Sequence, residues 1–151
     1  MLLSELLKGV NVKNDYIDRE ISDVTDNTKK VTENCAFVCV SGARFDGHNF
    51  AKDVMENGAT AVIVSKDLGL KEQVLVENTR EAYAIMCKNL FGASVDKMTL
   101  IGITGTNGKT TTAFIVKDIL SEFGIKSGLI GTVKNMVGDK EFHTELTTPD
   151  P

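Results

Sequence analysis

Two kinds of hydrophobic pattern alternate along residues 1–92. Short runs of β-branched and small apolar residues predict buried strands. Segments whose apolar residues recur every three or four positions predict helices. Strands that alternate with helices indicate an α/β fold built on a mostly parallel sheet. The predicted strands are residues 36–42, 60–65 and 73–77, and the predicted helices lie within residues 2–9, 46–58 and 78–92.

Single residues place the ends and the buried faces of these helices. We expect Ser4 to cap the first helix and Thr79 to cap the third. Gly9 and Gly58 should end the first and second helices, because glycine accepts the left-handed conformation found after a helix. The apolar stripes are Phe50, Ala51, Val54 and Met55 in the second helix, and Ala82, Ile85, Met86 and Leu90 in the third.

The cysteines are better explained as core residues than as metal ligands. Cys35 and Cys39 lie in a segment that alternates as a strand does, so residues 35, 37 and 39 share one face. No further Cys or His lies near them at the spacing of a zinc site. We therefore expect Cys35, Cys39 and Cys87 to be buried and reduced.

Composition excludes several classes of partner. A formal charge of −4 and a pI near 5.2 argue against a nucleic-acid or anionic-membrane partner, since either would favour a basic surface. No apolar run approaches the roughly 20 residues that span a bilayer. The first ten residues lack the basic and apolar regions of a signal peptide. These features predict a cytoplasmic protein.

Residues 98–124 have the order strand, glycine loop, helix. Gly102, Gly105 and Gly108 are spaced by three residues, and Lys109 and three threonines follow. The strict phosphate-loop pattern would need a glycine at position 103, where Ile103 stands. Its physical requirements are nevertheless met, because glycines turn backbone N–H groups toward phosphate oxygens and a helix N-terminus attracts anions.

An ordinary turn would account for Gly105 and Gly108, but not for the Lys-Thr pair that follows. The next helix has a clean apolar stripe of Val116, Ile119, Leu120 and Phe123, Gly124 ends it, and residues 129–133 offer a strand to complete a βαβ unit. A nucleotide-binding loop is therefore the better interpretation. On its own it leaves a GTPase or a generic ATPase open.

The loop sequence GITGTNGKTTT closely resembles the ATP loop of the Mur ligases. These cytoplasmic, ATP-dependent enzymes build the peptide stem of peptidoglycan. Folylpolyglutamate synthases and cyanophycin synthetases have related loops, so this segment does not select one member. Residues 23–65 resemble the N-terminal uridine-binding domain of MurE-type ligases, which add the third residue of the stem. LTTPDP, residues 146–151, resembles their substrate-binding segment, whereas MurF ligases differ there.

The resemblance implies two sets of binding residues. Lys109 would hold the ATP phosphates as the catalytic cation, and Thr110 would ligate Mg²⁺. At the uridine side, Asp26-Asn27-Thr28 replaces the family's Asp-Ser-Arg, so the serine contact falls on Asn27 and the arginine is lost. The implied ATP-binding residues are Gly105, Thr106, Asn107, Gly108, Lys109, Thr110 and Thr111; the implied substrate residues are Thr25, Asn27, Ala43, Arg44, Phe45, Thr147 and Thr148.

Plainer roles remain open for several of these positions. Arg44 could equally be a solvated surface side chain, and the Thr147-Thr148 pair a turn before proline. We expect His48 to begin a turn or helix rather than to act in catalysis. His143 lies in a polar stretch that predicts an exposed hairpin, residues 134–144.

The resemblance also implies a domain plan and a reaction. Residues 1–95 would form a Rossmann-like domain for UDP-MurNAc, residues 92–97 a linker, and residues 96–151 the start of a P-loop ATP-binding domain. The reaction would join an amino acid to UDP-MurNAc-L-Ala-D-Glu through an acyl phosphate, with ATP and Mg²⁺. We expect the chain alone to be an inactive front piece of such an enzyme. The alternatives are a stand-alone UDP-sugar or ATP-binding module, MurF, or a cyanophycin synthetase.

Overall fold

A computed structural model describes residues 1–42 and 45–142, with the backbone alone at residues 93–95. The chain forms two compact units, Met1–Met98 and a second that begins at Thr99. The division falls just after the short 3₁₀ helix Gly92–Lys97, which occupies the expected linker. The assignment of residues 1–95 and 96–151 to two functional domains stays a prediction.

Within the described residues, the first unit contains a parallel sheet of four strands in the order β1-β2-β3-β4. The α/β class and the parallel sheet are thereby confirmed. In the register of these strands, Val24 lies opposite Ala36, Phe37 opposite Val62, and Ile63 opposite Val74. Sequence analysis did not predict β1, because the strand has only three residues, one of them the exposed Asp23, and so shows no clear hydrophobic pattern. The strands are β1 (Asp23–Thr25), β2 (Cys35–Val38), β3 (Ala59–Val64) and β4 (Gln73–Leu75).

Helices cover both faces of this sheet. On one face, Cys35 and Phe37 of β2 and Cys39, which directly follows it, form a core cluster with Ala51 and Val54 of α2. On the other face, Ala36 and Val38 pack in a cluster with residues of α1 and α3. The helices are α1 (Leu3–Leu6), α2 (Ala51–Glu56, preceded by the 3₁₀ helix Gly47–Phe50) and α3 (Thr79–Phe91).

The expected state of the cysteines is confirmed, since all three are free and buried. Burial raises the pKa of Cys39 to about 12, and the nearby Asp46 carboxylate adds to the rise. Burial likewise raises the pKa of Cys87 to about 11. A thiol with so high a pKa stays protonated at neutral pH and behaves as a small apolar side chain.

Both predicted N-caps are wrong by one or two residues. Asn78 caps α3, since its side-chain oxygen accepts hydrogen bonds from the N–H groups of Arg80 (3.0 Å) and Glu81 (3.3 Å). Leu2 precedes α1, and Ser4 instead donates its hydroxyl to Asp18 at 2.7 Å. In α3 the adjacent cap-forming residues Asn78 and Thr79 compete, and Asn78, which has extended backbone geometry, becomes the cap. The predicted end of α2 is confirmed, since Gly58 directly follows the C-cap Asn57 and has φ of 110°. The predicted end of α1 at Gly9 is too late, because the helix already ends at Leu6, although Gly9 has the expected positive φ of 88°.

The second unit consists of one helix and a small antiparallel sheet, as far as it is described. Its hairpin confirms the polar hairpin expected from residue 134 onward, up to residue 142. His143 lies outside the described residues. The elements are α4 (Lys109–Glu122), β5 (Gly128–Leu129), β6 (Asn135–Val137) and β7 (Lys140–Phe142), in the order β5-β6-β7.

Two predicted strands of this unit are wrong. Residues 98–104 form no strand, and Leu100 is 86% exposed. The strand expected at residues 129–133 is reduced to Gly128–Leu129, which pairs antiparallel with β6, so the expected βαβ unit is not formed within the described residues. A strand exists only through its partner, and the described part of this unit offers no parallel neighbour to either segment.

The apolar stripe of α4 is present but uncovered. Phe123 is 77% exposed and Ile119 is also exposed, while Val116 and Leu120 are only partly buried. Gly124 ends the helix as predicted, with φ of 70°. The described residues therefore leave one side of this helix open. None of the helices in the described part of the chain could cross a bilayer.

Candidate functional site

The carboxyl edge of the first unit's sheet carries the predicted substrate residues that the structure describes. Thr25 is the last residue of β1 and is buried, and its Oγ1 accepts a hydrogen bond from Asn27 N at 3.1 Å. Asn27 is exposed and caps the 3₁₀ helix Thr28–Lys30 by accepting from Lys29 N at 3.0 Å. Ligands of parallel α/β sheets bind at this edge, so both residues are well placed.

Phe45 lies in the loop that follows β2, at the same edge of the sheet. Its ring is partly exposed and stacks on Phe50 with centroids 4.8 Å apart and an interplanar angle of 12°. The loop is narrow at this point, because Gly42 N donates to Phe45 O at 2.7 Å. Since β1 and β2 are parallel neighbours, the structure brings the Phe45 loop beside the turn that follows Thr25. Ala43, Arg44, Thr147 and Thr148 lie outside the described residues.

A hydrogen-bonded group of side chains links the ends of β2 and β3, and sequence analysis missed it. We call it the Asp46 network: Ser41, Asp46, His48, Ser65 and Lys66. His48 Nδ1 lies 2.5 Å from Asp46 Oδ1, and His48 Nε2 accepts from Ser65 N at 3.0 Å. Asp46 also accepts from Ser41 Oγ (2.9 Å) and Lys66 Nζ (2.9 Å). It therefore joins two loops that are distant in sequence.

The predicted place of His48 is confirmed, but its environment was not foreseen. It lies in the first turn of the 3₁₀ helix Gly47–Phe50, yet it is only 5% exposed. The signal available in the sequence was the polar pair Ser65-Lys66 directly after a buried strand, at the edge where residues 41–48 must also lie. The pair indicates that Ser65 and Lys66 lie near His48 only once β2 and β3 are known to be parallel neighbours.

The network holds the Asp46 carboxylate in its charged form. Hydrogen bonds hold the pKa of Asp46 well below its usual range. The ammonium of Lys66 has the largest effect, and the ring and the backbone N–H of His48 add to it. Hydrogen bonds to a charged group are about twice as strong as neutral ones. The carboxylate is thus the electrostatic centre of the network.

Replacing Asp46 by asparagine should make the chain less stable at neutral pH. Because the pKa of Asp46 is lowered on folding, its contribution is complete above the unfolded value of about 3.9 and is lost as the pH falls toward the folded value. We expect the difference in unfolding midpoint between wild type and Asp46→Asn to stay constant from pH 7 to about pH 5 and to shrink below about pH 4.

Urea unfolding followed by circular dichroism at several pH values measures this difference. Asp15→Asn, which changes an exposed carboxylate outside the network, is the matched control. A difference for Asp46→Asn that persists unchanged at pH 3 would contradict the role given to this carboxylate.

The glycine loop of the second unit leads directly into α4. Gly108 is the N-cap with φ of +77°, a conformation that side chains rarely adopt, and no atom lies within 4 Å of a Cβ placed there. The Lys109 ammonium folds back over the loop and donates to Gly105 O at 2.6 Å. The loop thus presents a helix N-terminus and a cation on the same exposed surface.

This arrangement suits a polyphosphate. Lys109 supplies a positive charge, Gly108 leaves the loop backbone accessible, and α4 is long enough for its dipole to matter. Thr110 is the first hydroxyl inside the helix and is partly buried. Among the described residues no three acidic, His or Cys side chains form a metal-binding group.

A small cavity of about 250 Å³ lies elsewhere in the first unit, beside the end of β4. Val10, Val76 and Asn78 line it, together with other residues of the same region. None of the predicted substrate residues contributes to it. We therefore place the candidate site at the loops after β1, β2 and β3, and not in this cavity.

Two family models match the chain in succession. The model described as the catalytic domain of the Mur ligase family matches residues 20–89. The model described as the Mur ligase middle domain matches residues 103–151. Both candidate regions, the sheet edge of the first unit and the glycine loop of the second, fall within these matches.

Known relatives resemble the chain along most of its length. The UDP-N-acetylmuramoyl-L-alanyl-D-glutamate–2,6-diaminopimelate ligase of Clostridium perfringens is 43% identical over 99% of this chain and 32% of its own length. The ligase of the same name from Aquifex aeolicus is 42% identical over 89% of this chain and 28% of its own. The chain thus spans about a third of the length of these relatives.

A solved structure supports the same likeness at the level of the fold. MurF ligase from Thermotoga maritima, in complex with ADP, is 35% identical to this chain with a TM-score of 0.54. The match covers 66% of this chain and 23% of that one.

Proposed function

Because this chain belongs to the Mur ligase family, we propose that it forms the uridine-nucleotide-binding unit and the ATP loop of a MurE-type ligase. The reaction would add 2,6-diaminopimelate, the amino acid in the names of its relatives, to UDP-MurNAc-L-Ala-D-Glu. A cytoplasmic location follows from the substrates. The observation that carries the proposal is that the likeness to such ligases runs over 99% of the chain, so both regions are matched together.

The first unit supplies the substrate site in this proposal. Thr25 ends β1, Asn27 lies in the turn that follows, and Phe45 lies in the loop after β2, so polar groups and an exposed ring lie at one edge of the sheet. A nucleobase is a flat ring with hydrogen-bonding edges, and such a surface can stack on it and bond to it. Ala43, Arg44, Thr147 and Thr148 are proposed as further contacts by resemblance.

The second unit supplies the ATP loop. The carboxylate of the dipeptide attacks the γ-phosphorus of ATP, which releases ADP and forms an acyl phosphate; the amine of the incoming amino acid then displaces phosphate and loses a proton. Lys109 would neutralise the transferring phosphoryl group, and the N–H groups of residues 105–111 would hold the phosphates. Magnesium, with Thr110 as a ligand, would further neutralise the phosphate charge.

A binding experiment on the chain as printed tests this proposal. Calorimetric titration should show that UDP-MurNAc-L-Ala-D-Glu binds, and that folate and polyaspartate do not. The same chain should release no phosphate from ATP, because the described residues leave α4 uncovered and hold no acidic metal-binding group. Steady turnover by these 151 residues would contradict the second expectation.

An ATP-consumption assay on the gene product that carries this sequence tests the proposed reaction itself. We expect it to consume ATP only when both UDP-MurNAc-L-Ala-D-Glu and 2,6-diaminopimelate are present. Use of D-alanyl-D-alanine with the tripeptide would instead assign it to the MurF type. Binding without any turnover by the gene product would favour a stand-alone binding module.

A further inference from the structure

We propose that His48 is a positioning residue for the uridine nucleotide, acting through Asp46 and Ser65. It holds the described parts of the loop after β2, residues 40–42 and 45–47, against the end of β3. This inference rests on the proposed function, because it assumes that Phe45 and its loop contact the nucleotide. Neither the resemblance nor the comparisons assign this role to His48.

The loop after β2 is closed by bonds on both sides. Gly47 N donates to Val40 O at 3.0 Å, and Ser41 Oγ donates to Asp46 Oδ1 at 2.9 Å. Gly47 must be glycine for this approach, because a Cβ there would lie 2.9 Å from Cys39 Cα and from Val40 N. The two ends of the loop are thus held together, while their position relative to the rest of the sheet edge needs a further contact.

His48 provides that contact at both ends of its ring. Nδ1 bonds to the Asp46 carboxylate at 2.5 Å, and Nε2 accepts from the backbone N–H of Ser65 at 3.0 Å. A carboxylate only accepts and an N–H only donates, so these partners select the neutral ring with its proton on Nδ1. Burial shields both bonds from competing water. The ring therefore fixes the distance between the Asp46 loop and the end of β3.

The order Asp46–His48–Ser65 resembles a nucleophilic triad, but the bonding argues against that role. Ser65 Oγ lies 3.2 Å from Nε2, whereas the Ser65 N–H already bonds to the same nitrogen at 3.0 Å. A neutral imidazole has one lone pair, and here the backbone occupies it. The nitrogen is committed to holding the chain and is not available to take a proton from the hydroxyl.

Two substitutions separate the bonds at the two ends of the ring. In His48→Asn, the amide nitrogen can replace Nδ1 and keep the bond to Asp46. In His48→Gln, the amide oxygen can replace Nε2 and keep the bond to Ser65. Each variant retains one bond and breaks the link between the two loops. Asn89→Ala is the matched control, because it removes two side-chain bonds from α3, one to Leu6 O at the end of α1 and one to Lys8 O just after it.

The experiment is a calorimetric titration of each full chain with UDP, at a temperature where thermal unfolding shows that all variants are folded. We expect UDP affinity to fall about tenfold in both His48 variants, the loss that follows from about one displaced hydrogen bond. Asn89→Ala should lower the unfolding temperature without changing UDP affinity. Ser65→Ala, which keeps the N–H bond, should weaken UDP binding less than either His48 variant.

The outcomes distinguish the inference from the proposed function. Wild-type UDP affinity in folded His48→Asn or His48→Gln would overturn the inference and leave the proposed function intact. A folded wild-type chain that does not bind UDP would overturn both. Labelling of Ser65 by a fluorophosphonate would show that its hydroxyl is activated, and would overturn the argument that Nε2 is committed to the backbone.

Discussion

Replacing Lys109 by alanine is expected to lower kcat/KM for ATP by at least about 10²-fold in the gene product that carries this sequence, the typical loss when one transition-state charge partner is removed. The Lys109 ammonium lies at the start of α4 and bonds to Gly105 O at 2.6 Å, so it is held over the loop before any ligand binds. Without it, the transferring phosphoryl group would lose the positive charge that the loop supplies. Phosphate release with both co-substrates present measures the effect.

Lys126→Ala is the matched control for Lys109. Lys126 is an exposed lysine of the same unit, just after α4, so its removal changes the net charge equally but leaves the loop intact. UDP affinity should be unchanged in both variants, which would exclude general misfolding. Activity of Lys109→Ala within about threefold of wild type would remove Lys109 from the proposed mechanism, since a lost phosphate cation costs far more.

Replacing Phe37 by alanine is expected to cost about 3–5 kcal/mol of the free energy of unfolding of the first unit. The ring is 0% exposed and lies in β2, between Thr25 of β1 and Val62 of β3. Its removal deletes apolar contacts and leaves a cavity in the cluster beneath α2. Domains are stable by only about 5–15 kcal/mol, so the loss should shift the urea midpoint strongly.

Phe91→Ala is the control for this second substitution. Phe91 ends α3 and is 67% exposed, so its removal should change the free energy of unfolding by roughly 0.5 kcal/mol or less. A cost below about 1 kcal/mol for Phe37→Ala would show that the cluster beneath α2 is not a tightly packed core.

Local patterns predicted most elements of the first unit. β2 and β3 are mostly apolar and buried on both faces, and β4 contains the apolar pair Val74-Leu75; such runs are visible in sequence. β1 was missed because its three residues form a strand only through pairing with β2. The cap of α3 was misplaced because Asn78 and Thr79 are neighbours that could both have served, and only backbone geometry distinguishes them. The cap of α1 was misplaced because Ser4 lies inside the helix and its hydroxyl bonds to Asp18, a contact that only the tertiary structure creates.

The second unit shows the opposite error. Residues 98–104 have the apolar character of a strand, yet they form none, because a strand needs a neighbour and the described part of the unit provides no partner for it. The loop and helix were predicted correctly, since Gly108 and the residues that begin α4 depend on local geometry alone. The role of Lys109 remains a prediction that the Lys109→Ala variant tests, and the role of Thr110 stays a prediction.

Local sequence patterns were enough to predict the α/β class, the place of the glycine loop, and the alternation that buries Cys35, Phe37 and Cys39 on one face. These features depend on residues within a few positions of one another. The bond from His48 to Ser65, which lies 17 residues further along the chain, could be found only in the folded protein. Such a contact requires β2 and β3 to be parallel neighbours, because the carboxyl ends of parallel neighbours meet at the same edge, and strand order is a property of the whole sheet.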